Sequence, residues 1–379
     1  MTTFDESAIS LARRSRFARV REQMERQSID VLLLSIGADL PWLSGYEAMP
    51  LERPTVLVVP RHELATLVVP RLEAPRVRVD SDLFGLRPWG DDENAVRIIA
   101  GLVGDAKSVA VSDRMWASLA LGLQDELVSV RFQRASLVTG PIRAVKDEYE
   151  IAMLRLAGAA ADEVAEALLG GEIRLIGRSE AEVSGEISQR LRASGHDRVN
   201  FAIVGSGPNA ASPHHEPGAR LIGRSETVVC DFGGTWYGGH DVGYCSDITR
   251  TVVTGAPTQE LLELYEVLEE AQRRAVEAVV VGQPCEEIDR VGREIIAAAG
   301  YGEYFIHRIG HGIGIEEHED PYIVSGNITC LASGHAFSVE PGIYLPERMG
   351  ARLEDIVVAH DGGTIRCNTV DHALHVVEV

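Results

Sequence analysis

Residues Thr227–Val253 read TVVCDFGGTWYGGHDVGYCSDITRTVV. A β-branched run ends on Asp231, a second apolar run begins just after Asp247, and the turn-rich Gly238-Gly239-His240-Asp241 lies between them. The pattern predicts a hairpin that sets the two carboxylates side by side. Two like charges so close need a cation, because each makes the other harder to ionise. Taken singly, either aspartate reads equally as a cap on a strand or turn. The acids further along the chain decide between the two readings.

His311 lies in RIGHGIGIEEHEDP (308–321), where the flanking glycines would let the backbone pass close to a ligand and leave the imidazole unobstructed. His318 closes the same segment. A histidine beside glycine also serves as an ordinary hydrogen-bonding loop residue, so this stretch alone does not identify a metal site. Glu340 ends the apolar run of AFSVEPGIY, with Pro341-Gly342 turning the chain behind it. Glu354 sits inside ARLEDIVV, between Leu353 and Ile356. An ionised glutamate in such a run is costly unless paired or metal-bound, and for Glu354 a salt bridge to Arg352 or Arg250 is the plain alternative.

Together Asp231, Asp247, Glu340, Glu354 and His311 offer four carboxylates, one imidazole and no thiolate. That oxygen-rich set suits harder or borderline divalent ions, manganese first, with cobalt or zinc as the other candidates. Four negative charges balance two dications. The expectation is a pair of ions about 3.5 to 4 Å apart that activates a water. The residues alone therefore predict a two-cation hydrolase with no named substrate.

The surrounding sequence sets the architecture. The chain has 379 residues, which is long for one core and fits two domains. Hydrophobic residues at 45% with 25% charged residues exclude a mainly disordered chain. An excess of 57 acids over 36 basic residues gives a formal charge of -21, which repels a phosphate backbone and argues against nucleic acid as a partner. The N-terminal MTTFDESAISLARRSRF has no apolar signal core, and no stretch approaches about 18 uninterrupted apolar residues. A cytoplasmic protein with no membrane partner is expected. Five scattered cysteines without a CxxC pair predict reduced thiols.

Apolar strands at Val31–Leu34, Thr55–Val59, Leu67–Val69 and Ser108–Val111, with helical periodicity through Gln27 and from Trp116 to Leu127, predict a compact α/β first domain. A boundary near Pro141 to Lys146 divides residues 1–142 from 143–379, where KDEYEIAMLRLAGAAADEVAEALL opens a helix capped by Asp147. Further helices are expected at Ser179–Ser194, Gln259–Val281 and Cys285–Ala299. Strands are expected at Phe201–Val204, Thr227–Cys230, Tyr244–Thr254, His335–Val339, Arg352–Val358 and His375–Val379.

Read in order, PWLSGYEAMPLERPTVLVVP, IRAVKDEYEIAMLR, GSGPNAASPHHEPG, DFGG, SDITRT, HRIGHGIGIEEHEDP, SVEPGIY and ARLEDIVV span nearly the whole chain. This ordered set resembles the pita-bread metallopeptidases, in particular the Xaa-Pro dipeptidase (prolidase) and aminopeptidase P group. The resemblance implies an α/β (α+β) protein with a creatinase-like N-terminal α/β domain. A pita-bread catalytic domain with a curved, mostly antiparallel sheet would follow it. Carried over by motif, Asp231 binds one ion through both oxygens, Asp247 and Glu354 bridge two, and His311 and Glu340 complete the second site.

The same resemblance places His214 and His318 around the substrate as catalytic residues, leaves His215 as a neighbour, and lets Glu340 shuttle the proton of a bridging water. It implies a proline-containing di- or oligopeptide as substrate and a homodimer whose N-terminal domains help close neighbouring sites. An Xaa-Pro bond is a tertiary amide without an N–H, which calls for a dedicated pocket.

Three positions depart from the family pattern. The interval from Asp231 to Asp247 is longer than the usual hairpin, and Asp241, the alternative ligand there, lacks a preceding strand. Tyr322 stands where some prolidases place an arginine that grips the dipeptide carboxylate, so Tyr322 with Arg352 or Arg348 is the candidate substrate-binding group. His335 replaces a frequent methionine and is given a packing role. The competing readings are an aminopeptidase P acting on longer Xaa-Pro peptides and an inactive pita-bread module that binds peptides.

Overall fold

A computed structural model describes residues 6–378. They form two compact units, one running to Arg143 and including the segment Gly239–Val242, the other formed by Ala144–Gly238 and the chain from Gly243 onward.

The first unit runs α1 (Glu6–Arg26), β1 (Val31–Leu34), α2 (Asp39–Ser44), β2 (Val56–Pro60), β3 (Ala65–Pro70), β4 (Phe84–Trp89), α3 (Ala95–Val103), β5 (Ser108–Val111), α4 (Ala117–Glu126), β6 (Arg131–Arg134) and α5 (Ser136–Ala144). Its mixed sheet has the order β4-β3-β2-β1-β5-β6. β1 pairs antiparallel with β2 and parallel with β5, and all four of its residues are buried, which explains its unbroken apolar run. Ile99, Leu119 and Leu123 from α3 and α4 pack against Leu33, Val58 and Val68. β4 (FGLRPW) and β6 (RFQR) lie outside the strands expected from sequence. Both are edge strands, where arginine and proline are tolerated because one side of the ladder stays unpaired.

The second unit runs α6 (Glu148–Leu169), α7 (Glu180–Ala193), β7 (Arg198–Ser206), β8 (Thr227–Trp236), β9 (Tyr244–Cys245), β10 (Ile248–Val253), α8 (Gln259–Glu277) and α9 (Cys285–Ala298). β11 (Gly310–Gly312), β12 (Glu319–Ile323), β13 (Ala336–Val339), β14 (Gly342–Leu345), β15 (Met349–Arg352), β16 (Asp355–Val358), β17 (Ile365–Arg366) and β18 (His375–Val376) follow. α6 begins with a capping box: Asp147 accepts from the Glu150 N–H, and the Glu150 carboxylate accepts from the Asp147 N–H. Ser179 and Glu182 repeat the device at α7. Each cap contributes about 1 kcal/mol.

Two sheets carry the unit, ordered β18-β10-β8-β7, with β9 paired to β8, and β12-β11-β13-β16-β17. An isolated bridge between Thr249 and Glu354 links them. All the ladders are antiparallel except β10 with β18. Val164, Leu168 and Ile187 of α6 and α7 pack on Cys230, Phe232, Ile248 and Val252, while Leu264, Leu268 and Ile288 of α8 and α9 pack on Phe337, Val339 and Val357. Truncating one such leucine to alanine would remove about 2 to 5 kcal/mol.

Several strand boundaries differ from the sequence reading. β8 does not end at Asp231 but continues through Gly233-Gly234 to Trp236, because β7 and β10 hydrogen-bond it from both sides and override the weak strand preference of glycine. The stretch expected from Tyr244 to Thr254 breaks at Ser246-Asp247, and the one from Arg352 to Val358 breaks at Leu353-Glu354. Both breaks fall beside a candidate ligand. The hairpin loop contains Gly238 and Gly239, at φ 56° and 82°, values that glycine adopts without strain. The last expected strand shrinks to His375–Val376, and Val379 lies outside the described residues.

Candidate active site

The ladder places Ile203, Asp231, Thr249 and Glu354 in one row, since Ile203 pairs with Asp231, Asp231 with Thr249, and Thr249 with Glu354. Directly paired residues share a face of the sheet. Asp247, at the break just before β10, lines the same cavity as Asp231 and Glu354. The second sheet contributes the rest: Glu340 N–H donates to Ile309 O at 2.8 Å, and His311 N–H donates to Ser338 Oγ at 3.0 Å.

Asp247, His311 and Glu354 each bring one ligand atom to within 4.8 Å of the others. His311 Nε2 lies 3.3 Å from Glu340 Oε1 and 3.8 Å from Asp247 Oδ2. Its Nδ1 sits 3.1 Å from Gly312 O, which accepts only from a protonated Nδ1, so Nε2 turns its lone pair toward the acids. The glycines around His311 have a different duty from the one expected. A Cβ at Gly310 would meet Ser338 O at 1.9 Å, and one at Gly312 would meet Asp320 O at 2.3 Å. They admit the neighbouring strands.

Asp231 stands slightly apart. Its Oδ2 takes Arg352 Nη2 at 2.5 Å, while Oδ1 is buried without a hydrogen-bond partner. Four carboxylates share this cavity with the guanidiniums of Arg352 and Arg308, so negative charge outweighs positive. Burial, and then the charges of Glu354, Asp231 and Glu340, hold Asp247 well above the usual carboxylate range. Burial and the charges of Glu340 and Asp231 do the same to Glu354. Burial leads in pushing Glu340 up to about 7 and His311 down to about 3. An orphaned buried oxygen, an unprotonated imidazole nitrogen and mutually repelling acids are the donor set that divalent cations neutralise. The residues therefore fit a divalent metal ion, with Asp247, His311 and Glu354 within ligand reach of one another.

This cluster floors a cavity of about 750 Å³, a size suited to a small peptide. His214 and His318 line its wall, with Phe201, Ile203 and Ile306 as apolar neighbours. The His318 ring centroid is 4.0 Å from that of His311. Burial, then the charges of Arg308 and His214, lowers its pKa and keeps the imidazole neutral. A buried ion pair between Lys146 and Glu319 anchors the start of β12 beside it.

The proposed carboxylate grip finds a different arrangement. Arg352 is buried at 2% exposure, and its donors are taken by Thr249 Oγ1, Pro213 O, Tyr344 OH and Asp231. Arg348 is exposed and paired with Glu260. Tyr322 is not in the cavity lining and instead lies beneath Arg308, whose guanidinium carbon is 4.5 Å from the ring centroid. Arg308 does line the cavity and has no hydrogen bond or ion pair from its guanidinium among the described residues. The sequence reading missed it, because an arginine in a glycine-rich loop breaks no local rule. His307 and Tyr344 were also missed. Arg352 Nη1 donates to Tyr344 OH at 2.9 Å, and that hydroxyl lies 2.9 Å from His307 Nε2. His335 is buried, accepts from Ala332 N–H, and has its pKa lowered to about 4 by burial.

Comparison with known proteins places both parts of the chain in described families. Residues 152–361 match the model for metallopeptidase family M24, and residues 16–145 match the Creatinase/Prolidase N-terminal domain. A Mycobacterium tuberculosis protein named Probable dipeptidase PepE is 43% identical over 352 residues, covering 92% of each chain. The solved structure of dipeptidase PepE from Mycobacterium ulcerans is 39% identical with a TM-score of 0.89, over 97% of this chain and 98% of that one. Prolidase from Thermococcus sibiricus is 35% identical with a TM-score of 0.87, over 98% and 99%.

Proposed function

Because the chain belongs to metallopeptidase family M24 and has the pita-bread fold of its relatives, we propose that it hydrolyses Xaa-Pro dipeptides with its second domain, residues 143–379. The observation that carries this reading is the convergence of Asp247, His311 and Glu354, with Glu340 alongside, on the floor of a cavity that also presents the unpaired Arg308. Asp231, Asp247, His311, Glu340 and Glu354 would hold two divalent cations. When bound, these supply the positive charge that ionises a water at neutral pH and polarises a carbonyl.

The remaining work falls to the side chains. Glu340 takes the proton of the attacking water and returns it to the leaving nitrogen. His318, kept neutral, donates a hydrogen bond to the developing oxyanion. His214, on the cavity wall, binds the peptide. Arg308 pairs with the free carboxylate of a dipeptide, a role supported by its position in the lining, the absence of a hydrogen bond or ion pair from its guanidinium among the described residues, and its platform on Tyr322. Arg352 holds Asp231 and Tyr344 in place in this scheme and does not touch substrate.

The test compares an Xaa-Pro dipeptide, an Xaa-Pro-Xaa tripeptide and a Met-Xaa peptide with manganese or cobalt, before and after chelation. Expected are dipeptide turnover, its loss with chelator and its return with metal. Turnover of the tripeptide alone would favour an aminopeptidase, and no turnover with no bound metal would remove the enzymatic reading.

A further inference from the structure

We infer that Glu180, a residue with no place in the metal cluster, is the positioning residue that aims His214 into the cavity. Glu180 opens α7 and is 0% exposed, yet every group around its carboxylate is a donor. Oε1 accepts from Ser206 N–H at 2.9 Å, Ser206 Oγ at 2.8 Å and Asn209 Nδ2 at 3.1 Å. Oε2 accepts from Asn209 Nδ2 at 3.1 Å, His215 Nε2 at 2.7 Å and Gly218 N–H at 3.5 Å. Burial pushes its pKa up, but the bonds from His215, Ser206 and Asn209 outweigh burial and leave it below the usual range.

These donors are spread along residues 206–218, so one buried carboxylate ties down the whole segment that carries His214. His214 lies between two tethers. On one side Arg352 Nη1 donates to Pro213 O at 3.2 Å, and on the other His215 is held by Glu180. A backbone bond from His215 N–H to Ser212 O at 3.1 Å closes the turn around it. The His214 ring has no hydrogen bond among the described residues and is exposed in the cavity wall. In this turn the two neighbouring imidazoles face different ways, His215 toward Glu180 and His214 toward the cavity. Fixing His215 inward on Glu180 is what leaves His214 outward.

The inference rests on the peptidase reading for its kinetic consequence but not for its geometry, and the experiment separates the two. His215→Phe keeps a ring but removes the donor, whereas His215→Gln keeps a donor of similar reach. With folded, metal-loaded protein, His215→Phe and Glu180→Gln are each expected to lower kcat on the Xaa-Pro dipeptide about tenfold to a hundredfold, with KM within about twofold. His215→Gln should recover to within about threefold of the parent, and the double variant should be no worse than either single one. The imidazole ¹⁵N signals of His214, assigned by their loss in His214→Gln, should shift or broaden in His215→Phe.

Unchanged His214 signals, turnover within about twofold of the parent in both single variants, or loss that follows missing metal would each overturn the inference. If the parent cleaves no Xaa-Pro peptide while the His214 signals still move, the functional reading fails and the positioning role stands.

Discussion

Glu354 and Asp355 are chain neighbours, both almost fully buried, and they face opposite sides of the same extended segment. Glu354 turns to the cavity, where its hydrogen-bond donor is the hydroxyl of Thr249 at 2.7 Å and the charges of Glu340 and Asp231 outweigh that of Arg352. Asp355 turns to the helical side, where Arg250 Nη2 is 2.8 Å away, His372 Nε2 2.6 Å and Gln272 Nε2 3.4 Å. Burial raises the cost of ionising both. For Asp355 the charges and hydrogen bonds of Arg250 and His372 outweigh burial and hold the carboxyl below its usual range, while Glu354 is driven well above it. A structural carboxylate carries its counter-charges within the chain. A carboxylate meant for a cation leaves them to be supplied from outside.

Four variants would break or sharpen this contrast. Glu354→Gln should lower kcat/KM by on the order of 10³ to 10⁴, about 4 to 5 kcal/mol, yet leave the midpoint of urea unfolding of the chelated protein no lower than the parent's. A lower midpoint would mean that Glu354 is structural after all. Asp355→Asn should do the reverse: it leaves Arg250 buried without its counter-charge, and unfolding in urea should show a loss of about 3 to 5 kcal/mol. If stability stays level, the back-face ion pair is not what holds Asp355 there.

His196 tests the back face through pH. It is buried, bonded to Ser246 Oγ at 2.8 Å, and burial lowers its pKa from 6.5 to about 4. Between those values the unfolded chain takes a proton that the folded one refuses, so stability present above pH 6.5 drains away as pH falls toward 4. The loss is roughly 3 kcal/mol at 1.36 kcal/mol per pKa unit. His196→Gln should flatten that slope in urea titrations, and an unaltered slope would assign it elsewhere.

Arg308 repeats the comparison with the sign reversed. Arg250 is spent on Asp355 and four backbone carbonyls, whereas the Arg308 guanidinium has no hydrogen bond or ion pair among the described residues. Arg308→Ala should raise KM for a dipeptide about tenfold with little change in kcat, and should affect a tripeptide less. Equal effects on both peptides would remove the carboxylate role.

The candidate ligands were legible because an acid in an apolar run breaks a local rule, and such violations concentrate at functional sites. Asp231 after Thr227-Val228-Val229-Cys230, and Glu354 among Leu353, Ile356 and Val357, advertise themselves in this way. The edge strands β4 and β6 were not legible, since Arg87, Pro88 and Arg131 read as loop until a neighbouring strand pairs with them. The partner of Arg352 was not legible either. In the sequence it reads as a salt-bridge partner for Glu354 or a group for the substrate carboxylate, whereas its guanidinium, in the cavity lining, pairs with Asp231, 121 positions away in the chain.

By itself the sequence determined the periodic helices with their caps, the apolar strands, and the residue types at the site. These depend on neighbours within a turn or a strand, where side-chain period and backbone preference act. The tertiary structure alone decided which charges are satisfied. That is why Asp355 and Arg352 are spent, why Glu354 and Arg308 are not, and why His215 faces Glu180 while His214 faces the cavity. Whether a buried charge has a partner depends on groups a hundred residues distant, and no local pattern records them.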